Sequence, residues 1–192
     1  IIATGPLTSD DLSKELQSIL GEDNLHFYDA SAPIIDGETI DRTKSFTAGR
    51  YGKGESDYIN LPMNKEEYYA FIHELVNAEK TEMHSFEKKE IFEGCMPVEV
   101  MASRGEDTLR FGPLRPVGLR LEDGTKPFAV VQLRKESTEN ELYNLVGFQT
   151  NLKFPEQKRV FSLIPALKNA EFVRYGVMHQ NTFLQSPKLL DK

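Results

Sequence analysis

Five short apolar runs separated by polar turns lie between Thr108 and Met178, and this spacing constrains the fold more than any other feature of the chain. Thr108–Gly112, Val117–Glu122, Phe128–Glu136, Tyr143–Thr150 and Phe172–Met178 each read as a strand. The third and fourth flank the polar turn Ser137-Thr138-Glu139-Asn140, the arrangement of antiparallel neighbours. One helical period interrupts them, near Pro155–Leu163, with Pro155 at its first position and Pro165 past its end. Two further helices belong to the first half. One runs over Thr8–Gly21, with Thr8 and Asp11 at capping-box spacing and Leu12, Leu16, Ile19 and Leu20 as its apolar stripe. The other runs over Asn64–Ala78, with Asn64 as cap, Glu67 three residues on, and Tyr68, Phe71, Ile72, Leu75 and Val76 on one face. Leu25–Tyr28 reads as a strand, and Asp36–Gly54 as a long loop of the kind that carries function. The expected class is α+β, a mainly antiparallel sheet with about three helices.

Composition narrows the function classes. With 39% hydrophobic residues, including 12 Phe and 7 Tyr, the chain can fill a core, which excludes wholesale disorder. A single Cys excludes an intrachain disulfide framework and any multi-cysteine zinc site, and the four His are scattered, so no metal is expected. No run approaches the roughly 20 apolar residues of a membrane span, and no signal-peptide pattern is present, so the expected compartment is cytoplasmic. The opening residues Ile1-Ile2-Ala3-Thr4-Gly5-Pro6 read as the end of a buried strand, so the chain is expected to be a portion of a larger protein.

The net charge of −7 hides an asymmetry. Residues 1–103 hold 9 Lys+Arg against 20 Asp+Glu, whereas residues 104–174 hold 12 against 9. Only the local field meets a polyanion, so the second half keeps nucleic acid open as a partner. There Arg104, Arg110, Arg115, Arg120, Lys153, Lys158, Arg159, Lys168 and Arg174 are interleaved with Phe111, Phe148, Phe154 and Phe161. Cations with stacking rings suit RNA; a solvated surface over core aromatics is the competing reading. Arg50 and Lys53 add basic charge to the long loop. Their surroundings, Gly49-Arg50-Tyr51-Gly52-Lys53-Gly54-Glu55, fail as a phosphate loop because Glu55 follows the last glycine. No G-x-G-x-x-G is present, so a dinucleotide fingerprint is missing.

Cys95 stands before Met96-Pro97, where a helix starting after the proline would favour a thiolate. An inert buried thiol is the alternative. His179 and Asn181 follow the last predicted strand, where a ligand contact or a structural role is open to each.

Longer strings carry a resemblance. They are Ile2-Ala3-Thr4-Gly5-Pro6-Leu7-Thr8-Ser9, Phe27-Tyr28-Asp29-Ala30, Phe92-Glu93-Gly94-Cys95-Met96-Pro97, Thr108-Leu109-Arg110-Phe111-Gly112-Pro113 and Pro116-Val117-Gly118-Leu119. Ala129–Arg134, Tyr143–Thr150 and Glu171–His179 continue the series. Together they resemble the bacterial folate- and FAD-dependent tRNA (uracil-5-)-methyltransferases, the TrmFO or Gid family, over nearly the whole chain. The resemblance implies a flavoprotein that moves a one-carbon unit from methylenetetrahydrofolate to C5 of a T-loop uridine, with FAD reduced by NAD(P)H. It also implies a domain plan: residues 1–33 as an edge of the FAD-binding domain, 34–181 as an RNA-facing insertion domain, and 182–192 as the return segment.

On this resemblance Cys95 falls on the family's functional cysteine, and is assigned acid/base or auxiliary thiol work rather than primary nucleophilic attack. Arg50, Lys53, Arg104, Arg110, Arg115, Lys158 and Arg159 become RNA-binding candidates. Tyr28, Asp29, His179 and Asn181 become folate- or flavin-facing candidates near the seam with the rest of the FAD-binding domain. Leu61 departs from a usual Asn-Cys-Pro triplet, and Gln180 from a common Arg. The same chemistry on ribosomal RNA, or an isolated RNA-binding or structural module without catalysis, are the alternatives.

Overall fold

The computed structural model describes residues 9–20, 25–52, 58–81, 96–136 and 141–183. Helix α1 (Asp10–Leu20) and strand β1 (Leu25–Ala30) come first, followed by β2 (Ile34–Asp36), β3 (Phe46–Thr47) and β4 (Tyr58–Met63). Helices α2 (Lys65–Asn77), α3 (Val98–Ala102) and α4 (Thr108–Phe111) lead into β5 (Ala129–Lys135) and β6 (Leu142–Leu145). Helix α5 (Phe154–Phe161), β7 (Phe172–Arg174) and β8 (Met178–Phe183) complete the order. Six strands form one sheet in the order β3-β4-β5-β6-β2-β7, and β1 and β8 form a separate two-stranded ribbon. Every strand pair is antiparallel, as the α+β reading expected.

The two-residue period of the strands sorts their side chains onto two faces. Ile59, Leu61 and Met63 of β4, Ala129, Val131 and Leu133 of β5, and Tyr143 and Leu145 of β6 join one buried core with α2 and α5. Tyr68, Phe71, Ile72 and Leu75 of α2 face this layer, and Phe148 bridges to Phe161 of α5 with ring centroids 5.3 Å apart. Asn60 and Gln132, directly opposite one another in the β4–β5 register, point to the other face. That outer face holds Arg50 and the segment around Arg115.

Local chemistry explains the elements that matched expectation. Asn64 and Glu67 form a capping box: the Asn64 Oδ1 accepts from the Glu67 N–H at 2.9 Å, and Glu67 Oε2 accepts from the Asn64 N–H at 2.8 Å. Pro97 precedes α3, and α5 starts one residue before the expected first position, so that Pro155 is its second residue. At α1 the Ser9 Oγ accepts from the Leu12 N–H at 3.3 Å, and the expected cap Thr8 lies outside the described residues. Ile19 of its expected apolar stripe is 71% exposed.

Other expectations are corrected. Thr108–Gly112 is the short helix α4, because its apparent alternation buries Leu109 and leaves Phe111 84% exposed instead of placing both on one face. Val117–Glu122 contains no strand; Gly118 at φ 83° and the Leu121–Thr125 turn break the extended path. Tyr143–Thr150 is strand only over Leu142–Leu145, since Gly147 turns the chain at φ 78° with its Cα so close to Pro113 that an added Cβ would lie 2.5 Å from the proline ring. Phe172–Met178 divides between two sheets. The break is at Gly176, whose N–H and C=O are both held by buried Gln157 at 2.8 Å. Strands β2 and β4 were not expected, and the long 36–54 loop contains three 3-10 turns and β3.

Candidate nucleic-acid interface

The outer face is organised by one arginine. Arg50 Nε donates to Gln132 Oε1 at 3.0 Å, and its Nη1 donates to the carbonyls of Arg115 at 3.0 Å and Val117 at 2.6 Å. Gln132 Nε2 in turn donates to Asn60 Oδ1 at 2.9 Å, and Asn60 Nδ2 donates to the Ala48 carbonyl at 2.8 Å. Strand register thus fixes Asn60 and Gln132, they fix Arg50, and Arg50 fixes the 115–118 segment. Beside this chain of bonds lies a groove of about 680 Å3, lined by Ala48, Gly49, Tyr51, Pro116–Arg120 and Lys126. None of the described lining residues is acidic, whereas Arg120 and Lys126 are cationic. Burial first, and the neighbouring Arg115 charge second, hold the Arg50 pKa below its ordinary value. Arg50, Arg115, Arg120 and Lys126 thus lie in or beside this groove.

The other predicted basic residues divide into two groups. Arg104 and Arg115 are exposed, with no side-chain partner among the described residues. Arg110 is half-buried: its guanidinium sits 3.6 Å from the Phe128 ring centroid, while Nε donates to the Phe128 carbonyl at 3.1 Å and Nη1 to Asp107 Oδ1 at 3.1 Å. Lys158 donates to the Ala170 carbonyl and lies over the Phe172 ring. Arg159 is paired with Glu156 and Glu74, which raise its pKa above the ordinary value. Lys53 and Cys95 lie outside the described residues. Asp29 pairs with His179, Phe27 with Asn181 and Tyr28 with Gln180 in the β1–β8 ribbon, so the four seam candidates share one short ladder. A second groove, between α2 and the α3–α4 turn, is lined by His73 and Glu106 and carries no Lys or Arg among the described residues.

Sequence comparison decides the family. The sequence model of the glucose inhibited division protein A family matches residues 1–192. The chain belongs to this family.

Among individual relatives, a protein of Acetivibrio thermocellus named methylenetetrahydrofolate–tRNA-(uracil-5-)-methyltransferase TrmFO is 65% identical over the whole chain. A protein of the same name from Natranaerobius thermophilus is 62% identical over 99% of it. The chain spans 44% of the length of each of these curated relatives. The structure of Aquifex aeolicus GidA in its form II crystal superposes with a TM-score of 0.53 at 14% identity, over 88% of this chain and 26% of that one. At that identity the likeness shows a shared fold.

The resemblance to this glucose inhibited division protein A group implies FAD, but the described residues do not fit its pyrophosphate. A dinucleotide cradle needs a parallel strand–turn–helix unit with an open helix N-terminus. Among the described residues every strand pair is antiparallel, and the N-terminus of α2 is closed by its own Glu67. No cluster of His, Cys, Asp and Glu among the described residues could hold a metal ion, and no described helix is long and apolar enough to cross a membrane.

Two residues on which sequence reasoning placed no role stand out. Tyr51 lines the groove, and only its backbone geometry reveals it. Glu99 is fully buried in α3, accepting from the Asn151 N–H at 2.8 Å and the Thr150 hydroxyl at 2.9 Å. A lone acid within Met96-Pro97-Val98-Glu99-Val100-Met101-Ala102 was the available signal. Together with the Val98 N–H, which donates to the Gln149 carbonyl at 2.7 Å, Glu99 ties the residues after Cys95 to residues 149–151. Burial raises its pKa, and hydrogen bonds from Asn151 and Thr150 only partly counter this. Because the folded value exceeds the unfolded one, the native state binds the proton better. Stability should therefore fall as pH rises from the ordinary carboxylate range, about 4.3, through the raised folded value. Glu99→Gln is expected to flatten this part of the profile, as read by urea unfolding between about pH 4 and 8. An unchanged profile would show that Glu99 does not titrate differently in the folded chain.

Proposed function

We propose that the full-length parent of this chain transfers the methylene carbon of methylenetetrahydrofolate to C5 of a T-loop uridine in tRNA, using FAD and NAD(P)H, in the cytoplasm. The carrying observation is the 65% identity, spread over the entire chain, to a protein bearing that name. Residues 34–181 are the RNA-facing insertion, and residues 1–33 and 182–192 lead to the rest of the FAD-binding domain. This plan is supported by the β1–β8 ribbon, in which the entering and leaving strands pair with each other, Leu25 to Phe183 and Ala30 to Met178, and stay out of the six-stranded sheet. Tyr28, Asp29, His179 and Asn181, on that ribbon, are the proposed folate- or flavin-facing residues.

Within the chain, the proposed chemistry belongs to Cys95. Uracil C5 is a poor nucleophile until a thiolate adds at C6, and the C5 proton must later leave. One thiol can serve the addition and another the proton transfer, and Cys95 is assigned the latter. The proposed RNA contacts are Arg104, Arg115 and Lys53, with Arg50 behind Arg115. Arg110, Lys158 and Arg159, whose polar groups already have partners, add to the field rather than make fixed contacts.

The test is carbon transfer by the full-length parent, supplied with labelled methylenetetrahydrofolate, NAD(P)H and either a tRNA transcript or ribosomal RNA. Label at C5 of a T-loop uridine is expected. Label confined to ribosomal RNA, or none in either, would overturn the reading.

A further inference from the structure

Tyr51 is the only residue other than glycine with positive φ among the described residues, at φ 60° and ψ 23°. A bulky side chain enters this left-handed region only where its surroundings hold it there, and such positions gather at functional sites. The surroundings are explicit. The Tyr51 N–H donates to the Gly118 carbonyl at 2.9 Å, and the preceding Arg50 is bonded to the Arg115 and Val117 carbonyls. The Tyr51 ring rests against Gly118 so closely that a Cβ there would lie 3.2 Å from Cε2 and Cζ. Yet Tyr51 is 66% exposed, and Val117 beside it is 55% exposed. The result is an aromatic surface that is both fixed and accessible.

Among the described residues, no carboxylate is paired with the cations around it. Arg50 donates only to neutral acceptors, namely one amide and two carbonyls. Arg115 has no side-chain partner among the described residues and lies near enough to Arg50 to depress its proton affinity. Arg120 and Lys126 line the groove, and among the described residues no acidic one does. Arg120 Nη1 likewise donates only to a neutral acceptor, the Gly124 carbonyl, at 2.9 Å. A held ring flanked by cations that no described carboxylate pairs is the chemistry that binds single-stranded nucleic acid: a base stacks and phosphates meet the cations.

We propose that the groove beside Tyr51 is a subsite for one unpaired nucleotide of RNA, with its base on the Tyr51 ring and its phosphates on Arg115, Arg120 and Lys126. The inference rests on the RNA-facing reading above and names the ligand class of that surface. Among the described residues, no amide, hydroxyl or carboxylate side chain other than the Tyr51 phenol lines the groove, so the subsite reads stacking and charge and takes any base. Bases in a duplex are already stacked and present no face, so duplex RNA does not enter it.

The test uses the 192-residue chain and fluorescently labelled oligouridine of about seven nucleotides, followed by anisotropy at several salt concentrations. Tyr51→Gly removes the ring, and glycine accepts the local φ freely, so the thermal midpoint should not fall. Binding to this variant is expected to weaken about tenfold, the loss typical of one base–aromatic stack. Tyr51→Phe should bind as the parent does, and Arg115→Ala should lower the slope of log affinity against log salt by about one. Equal affinity of Tyr51→Gly and the unmodified chain, absence of binding at low salt, or displacement of the RNA by a polyglutamate peptide at lower concentration than by RNA would each overturn the subsite. The two readings fail separately. Carbon transfer by the full-length parent with oligouridine binding insensitive to Tyr51→Gly removes the subsite alone. Ring-dependent binding in a parent that transfers no carbon removes the methyltransferase reading alone.

Discussion

Cys95→Ala in the full-length parent is expected to lower uracil methylation by about 10²- to 10⁴-fold, the usual contribution of a positioned general acid or base. Single-turnover carbon transfer to tRNA is the measurement, because it separates chemistry from product release. Binding of tRNA should be unchanged, since the proposed contacts are Arg104, Arg115 and Lys53. The chain has one cysteine, so no second thiol within it can substitute. Wild-type rates in the alanine variant would remove Cys95 from the chemistry and return it to the inert thiols.

Phe148→Ala should be the most damaging single truncation in the core. Phe148 is fully buried, with its ring 6.1 Å from Phe71 of α2 and 5.3 Å from Phe161 of α5. It thus lies between α2 and α5, which also meet through the Arg159–Glu74 pair. Loss of its ring removes apolar burial and leaves a cavity that neighbours held by two helices and a sheet cannot close, at a cost of about 3–5 kcal/mol. Denaturant unfolding gives the value directly. A loss below about 1 kcal/mol would mean that the core collapses around the gap, and that Phe148 does not couple the helices.

What could be read from sequence was chiefly what is local. The Asn64–Glu67 box, the apolar face Tyr68–Phe71–Ile72–Leu75, and the β5 run are each set within a few residues, and each was found where expected. Strand β4 was hidden by Pro62, a residue that argues against a central strand. It is tolerated because β3 pairs only with Ile59 and Asn60, so no strand lies on that side at Pro62. Thr108-Leu109-Arg110-Phe111 is too short for a period of two to be told from one helical turn. At the candidate interface, the basic residues were visible but their employment was not. Whether Arg159 faces RNA or Glu74 depends on a contact across 85 positions of sequence, and Arg50 meets Gln132 across 82. Tyr51 was invisible for a related reason: its φ is imposed by Gly118 and by the anchoring of Arg50, neither of which is a local signal.

The pairing of β1 with β8 also dictates an order of events in folding. The Ser31 hydroxyl and the Val177 N–H, which close the base of this ribbon, are 146 positions apart. Closing so long a flexible loop costs about 4 kcal/mol or more of chain entropy, and an isolated two-stranded ribbon is marginal in water. The ribbon therefore cannot nucleate. It must zip after the six-stranded sheet has drawn Ala32 and Gly176 together, so mature β1–β8 pairing is a late step that reports completion of the intervening domain.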